Sequence, residues 1–152
     1  MSRVLLIDQM VWQTLKRSAR EALPREVGGI LLGYYQAEGP RVVIAPVVPD
    51  PRATRIRYRR DARAAALILE AHQNADVTGL LGYLGEWHTH PLPVGPSNTD
   101  VASAQRLAKD GGHDVALLVI ALGPGGWVGH ARTVRPAGSV RAIPLQKEAN
   151  PT

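Results

Sequence analysis

Cysteine and phenylalanine are both absent from these 152 residues. The first absence excludes a disulfide framework and every thiolate metal site, so any bound metal must rely on His, Asp or Glu. In a chain without phenylalanine, Trp12, Trp87 and Trp127 read as core aromatics. No apolar run approaches the ~20 residues needed to span a bilayer. The opening residues 1–8 reach a charge too early for a signal-peptide core. A cytoplasmic location without a membrane partner is the expectation. Wholesale disorder is excluded as well, because 45% of the residues are hydrophobic. The length suits one domain with a real core.

Negative charge is the scarcer sign, with 13 acidic against 18 basic residues and a net charge of +5. Such a chain can meet nucleic acid, an acidic membrane face or an acidic protein. Six arginines (Arg52, Arg55, Arg57, Arg59, Arg60, Arg63) crowd one short stretch. A run of this kind reads first as a solvated face.

Periodicity predicts an α/β chain. A strand over 3–7 leads to Asp8, a plausible cap for a helix reaching residue 22, whose Val11, Trp12, Leu15 and Ala19 share one face. Residues 27–36 form a continuous apolar run, as expected of a strand covered on both faces. A turn at 38–40 and a β-branched stretch over 41–48 complete a hairpin. Arg55, Arg57 and Arg59 alternate with Ile56 and Tyr58, the period of a half-buried strand. Asp61 is placed to cap a helix over 62–74. A strand over 79–90, a Pro/Gly loop over 91–96, a helix starting at Ser97 or Asn98, and a hairpin of strands over 115–122 and 127–134 follow. There is no internal repeat. The expectation is one domain over 1–135, a mixed sheet flanked by helices, with a partly ordered tail over 136–152.

The chemistry concentrates in Glu86-Trp87-His88-Thr89-His90-Pro91 and Ser97-Asn98-Thr99-Asp100. Residues two apart on a strand share a face, so His88 and His90 point together, while Trp87 and Thr89 turn to the core. Pro91 ends the strand where a sheet opens, and the loop returns Asp100 on a helix's first turn. Two imidazoles and a carboxylate make a three-ligand zinc site with a fourth position for water. Zinc lowers that water's pKa from ~15.7 toward ~7, which yields a hydroxide nucleophile. A lone His-x-His is weak, because such residues usually serve packing or the surface. With the strand-ending proline, the Ser-x-x-Asp and an upstream acid beside Gly28-Gly29, it is far more specific.

This pattern resembles the JAMM, or MPN-plus, zinc metalloproteases in their bacterial branch. The resemblance rests on Glu26, His88, His90, Pro91, Ser97 and Asp100 and follows the element order over residues 3–134. The gap from His90 to Ser97 is one residue shorter than is common in eukaryotic members. The resemblance implies the MPN/JAB, cytidine-deaminase-like fold. It further implies that His88, His90 and Asp100 hold one zinc ion, that Glu26 is the general base, and that Ser97 stabilises the oxyanion. The family cleaves peptide or isopeptide bonds after the C-terminal glycine of ubiquitin-like modifiers, and such a tail could add to the sheet as a strand. It also implies an insertion near the arginines bordering the substrate groove, which makes Arg55, Arg57 and Arg59 candidates for docking an acidic modifier.

Other readings stay open on the residues alone. Glu26 could be a surface acid near a helix end, Ser97 only a cap, and Glu86 a supporting partner or rival base. His72, His113 and His130 lack ligand-spaced neighbours. The modifier could serve in deconjugation beside activating- and conjugating-enzyme homologues, including antiphage defence, or be a sulfur carrier in cysteine or cofactor biosynthesis. A DNA-associated module resembling the RadC-type branch is disfavoured, because that branch usually carries Asn where Thr89 stands.

Overall fold

The computed structural model describes residues 2–149. The chain runs β1 (Leu5–Asp8), α1 (Gln9–Ala22), β2 (Gly28–Gln36), β3 (Gly39–Ile44), α2 (Ala62–Ala75), β4 (Gly82–His90), α3 (Asn98–Gly111), β5 (Val115–Gly123), β6 (Gly126–Val134), β7 (Val140–Ile143) and β8 (Leu145–Glu148). The strands form one mixed sheet in the order β7-β6-β5-β4-β2-β3-β1-β8. β4 runs parallel to β5, and β1 runs parallel to both β3 and β8; the other pairs are antiparallel. This is the expected α/β architecture.

Helices cover both faces of the sheet's centre. On one face α1 packs Trp12 and Leu15 with Leu5, Ile7, Leu31, Trp87, Leu118 and Ile120, and buries Ala19 as well, at the spacing the sequence showed. On the other, α3 packs Ala104 and Ala108 against Leu117 and Val119, while α2 sets Ala65 over Ile30 and Leu32. Burial on both faces explains why β2 and β5 read as apolar runs rather than alternations.

The helix starts differ in how they are built. The Asp61 side chain accepts the Ala64 N–H at 3.0 Å, capping α2 as its position predicts. Asp8 stands at the N-cap position of α1 but makes no cap bond. Its carboxylate instead pairs with Arg41 on β3, 2.8 Å from Nε, so a long-range ion pair outcompetes the local cap.

One further expectation needs correction, and another gains detail. Residues 55–59 form no strand, and Ile56 is 79% exposed. The Asp50 carboxylate accepts the Arg52 and Arg59 N–H groups, and Thr54 N–H donates to Arg57 O. Donors that a ladder would use are thereby consumed in a folded-back strap over 51–61. The segment after 135, expected as a partly ordered tail, carries β7 and β8. β7 pairs with β6, β8 pairs with β1, and only Pro144 separates them. The sheet therefore curls until its two edges meet, with Trp12 and Leu145 filling the space over Gly129. Prolines and charges suit short edge strands, so composition alone does not reveal them.

Candidate metal centre

The site sits at the carboxyl end of β4, on the sheet face that α2 and α3 cover. Register explains the convergence. β4 passes directly into the crossover that returns as β5, so α3 starts beside the end of β4. His88 and His90 share a face, and Trp87 and Thr89 are buried on the other, as parity requires. Ser97 and Asp100 form a reciprocal capping box: Ser97 Oγ accepts the Asp100 N–H at 3.1 Å, and Asp100 Oδ2 accepts the Ser97 N–H at 2.8 Å. The cap thus does more than start a helix. It aims the Asp100 carboxylate back at the histidines.

The three side chains meet closely. His88 Nε2 lies 3.2 Å from His90 Nε2 and 3.1 Å from Asp100 Oδ1, and His90 Nε2 lies 3.3 Å from Asp100 Oδ2. Atoms held about 2.0 Å from one ion at tetrahedral angles stand about 3.3 Å apart, and these contacts, which reach both oxygens of the Asp100 carboxylate, are of that size, so the group is compatible with a bound metal ion. His90 Nδ1 lies 2.9 Å from Val94 O, and donation there fixes the tautomer that leaves Nε2 free to ligate. His88, His90 and Asp100 are the group that could hold a metal among the described residues.

Glu26 is reached through register. Gly28 pairs with His88, and Thr89 N–H donates to Val27 O while Val27 N–H donates to Thr89 Oγ1 at 3.0 Å. Continuing that antiparallel count sets Glu26 across from His90. It is 8% exposed, so it is no surface acid. Burial pushes its carboxyl pKa up, against the pull of His88 and His90 and with a push from Asp100. Burial also pushes Asp100 up, but hydrogen bonds from His88, His90 and Ser97 outweigh it and hold Asp100 well below the carboxylate range. The hydrogen bond with Asp100 raises the His90 imidazole despite burial.

Glu86 shares the histidines' face, yet it is already engaged. Tyr83 Oη donates to its Oε2, and Arg60 Nε lies 2.6 Å from its Oε1. Burial raises its carboxyl to about 7 against the pull of Arg60 and Tyr83. A groove of about 510 Å³ opens beside the ligands, lined by Arg57, Tyr58, Arg59 and Arg60 on one side and by Thr99, Ser103 and Arg106 of α3 on the other. Arg55 is exposed and lies outside that lining. His130 approaches Gly95 of the 91–96 loop, and His113 packs edge-on to Tyr83, so neither joins the metal ligands. Sequence reasoning missed Arg60, whose partner Glu86 is distant in the chain, Tyr83 and Arg106, whose places beside the ligands no motif marks, and the Val94 carbonyl, which carries no side-chain signal.

The family described as "Prokaryotic homologs of the JAB domain" matches residues 8–136, and the chain belongs to it. Among curated proteins it is 30% identical over 140 residues to the "CD-NTase/cGAS isopeptidase" of Enterobacter hormaechei subsp. hoffmannii (strain UCI 50), covering 87% of this chain and 72% of that one. The solution structure of protein DSY2949 from Desulfitobacterium hafniense shares the fold, with a TM-score of 0.71 at 22% identity over 96% of this chain and 95% of the other. Among the described residues, no helix is long and apolar enough to cross a membrane.

Proposed function

We propose that this protein is a cytoplasmic zinc-dependent peptidase or isopeptidase that cleaves after the C-terminal glycine of a ubiquitin-like protein. The observation that carries the reading is the convergence of His88, His90 and Asp100 to 3.1–3.3 Å beside the buried Glu26. Family membership supports it, as does the name of the Enterobacter relative, an isopeptidase. His88, His90 and Asp100 would hold one zinc ion, which when bound supplies Lewis-acid polarisation and a water acidic enough to ionise near neutral pH. Glu26, its pKa raised by burial, takes a proton from the attacking water at its carboxylate and passes it to the leaving amine. Ser97 Oγ accepts one bond from Asp100 N–H and keeps its own O–H free to donate to the oxyanion.

Arg57 and Arg59 would dock an acidic stretch of the partner in the groove beside the ligands. Strand addition does not suit this sheet, because its edges are β7 and β8, whereas the ligands stand on interior β4. The tail would instead cross the strand ends toward His88 and Asp100. A sulfur-carrier protein with the same glycine terminus would use the same chemistry. Activating- and conjugating-enzyme homologues are the expected companions of a deconjugating role.

The test is a fusion that extends a ubiquitin-like protein beyond its terminal glycine. We expect cleavage after that glycine, and a chelator should abolish it. Replacing the glycine by leucine should slow cleavage sharply, because close approach to Ser97 and the ligands leaves little room for a side chain. Equal rates on the two fusions would sink the modifier-specific reading.

A further inference from the structure

Three side chains beside the metal ligands have no part in the chemistry above: Arg60, Tyr83 and Glu86. Glu86 lies two residues before His88 on the same face of β4. Its side chain is only 12% exposed and that of Arg60 only 21%. An ion pair so withdrawn from water pays heavy desolvation, and its geometry must repay it. Here the repayment includes the Tyr83 hydroxyl on the second Glu86 oxygen. Two of the three residues belong to β4. Arg60 belongs to the far end of the 51–61 strap, one residue before the α2 cap. The pair therefore fastens the strap's end to the ligand strand.

The strap lacks a backbone ladder and is held by scattered individual bonds, several of them from side chains. Asp50 binds the Arg59 N–H at 2.8 Å, and the Tyr58 hydroxyl donates to Val48 O at 2.7 Å. Two features of the site depend on its position. Thr54 O accepts the Glu26 N–H at 2.8 Å, so the strap holds the backbone of the base. The Tyr58 ring lies parallel to the His88 imidazole, with centroids 6.5 Å apart and planes at 14°. It fits there because Gly28 has no side chain: a Cβ at that position would lie 2.5 Å from the ring.

We propose that Arg60 and Glu86, completed by Tyr83, form a positioning lock. It pins the strap to β4 so that Glu26 and Tyr58 keep their places beside the metal ligands. Arg60 is then a positioning residue that acts through the strap and touches no reacting atom. A withdrawn charge pair closed by one directional donor, the Tyr83 hydroxyl, suits this task, because apolar contact alone would let an irregular segment slide along the strand. The kinetic half of the proposal rests on the peptidase reading; the mechanical half does not.

The strap carries its own probe, since exposed Arg55, Arg57 and Arg59 are trypsin sites. Native-state cutting of a held segment tracks the fraction of time it opens. Arg60→Met, Arg60→Lys, Glu86→Leu and Glu86→Gln would be compared with the wild type by limited trypsin digestion, zinc content and kinetics on the glycine-extended fusion. We expect Arg60→Met and Glu86→Leu to be cut within 55–59 about tenfold faster while retaining zinc. Their kcat should fall on the order of 10- to 100-fold, with a smaller change in KM, as slight misplacement of a catalytic group produces. Arg60→Lys, which keeps the charge and a donor, should recover most of both losses. Glu86→Gln preserves shape and an acceptor, so it decides the matter if the harsher variants do not fold; it should shift both readouts in the same direction by less. Cutting at the wild-type rate overturns the lock. Faster cutting with unchanged kcat overturns the positioning role and leaves an ordinary structural pair. If the wild type cleaves no fusion, the peptidase reading has failed and the trypsin rates alone judge the lock.

Discussion

The groove beside the metal ligands has two walls built by different means. On one side β4 and α3 place His88, His90 and Asp100 through ladder and helix bonds repeated along many residues. On the other, the 51–61 strap has no such repetition and depends on Asp50, Tyr58 and Arg60 one bond at a time. A ligand set needs sub-ångström constancy, and regular elements supply it independently of what occupies the site. A wall that meets a partner can tolerate looser construction. Substitutions on the regular side should therefore abolish chemistry, and those on the strap should tune it.

The largest effect should follow removal of a ligand. His88→Ala and Asp100→Ala should each cut zinc from about one ion per chain to near none, with hydrolysis falling to background; metal analysis of the purified proteins reads this directly. Full zinc in both variants would refute the ligand assignment and with it the contrast between the walls. Glu26→Gln comes next. Zinc should stay while kcat falls by roughly 10²–10⁴, the usual loss on removing a general base. Turnover that does not change would strip Glu26 of that role.

Ser97→Ala separates two duties of one residue. Loss of the cap should cost about 1 kcal/mol in denaturant unfolding. Loss of oxyanion donation should lower kcat by roughly 10²–10³. A stability loss with kcat intact would assign Ser97 to the cap alone.

The smallest effect belongs to the strap's outer face. Arg57→Ser with Arg59→Ser should raise the apparent KM for the protein substrate several-fold at low salt and less at high salt, leaving kcat and zinc unchanged. Arg55→Ser, outside the groove, is the control. Loss of duplex DNA binding with intact protease kinetics would favour a nucleic-acid role instead. No change in either assay would make the arginines a solvated face.

Local patterns were the legible ones. The parity of His88 and His90 and the spacing of Ser97 and Asp100 depend only on strand and helix periods, so the sequence displays them without tertiary knowledge. Glu26 needed the pairing of β2 with β4, which the residues state only through their likeness to a known family. The strap misled because Arg-Ile-Arg-Tyr-Arg has the period of a strand, while the decisive competitor, the Asp50 carboxylate, lies outside the repeat. Asp8 misled in the same way: its partner Arg41 is distant in the chain and close in space. β7 and β8 were hidden because their stability comes from β6 and β1, not from their own composition.

The closure at Pro144 has a consequence for how the protein is made. Among the described strands β1 is made first, and β8, which covers one of its edges, is made after all the others. Until residues 140–148 emerge, β1 and β6 each present an unpaired edge at opposite ends of a nearly finished sheet. Such edges invite pairing with neighbouring chains. A nascent chain paused before Val140 thus carries two open edges, and both are covered once β7 and β8 have been made.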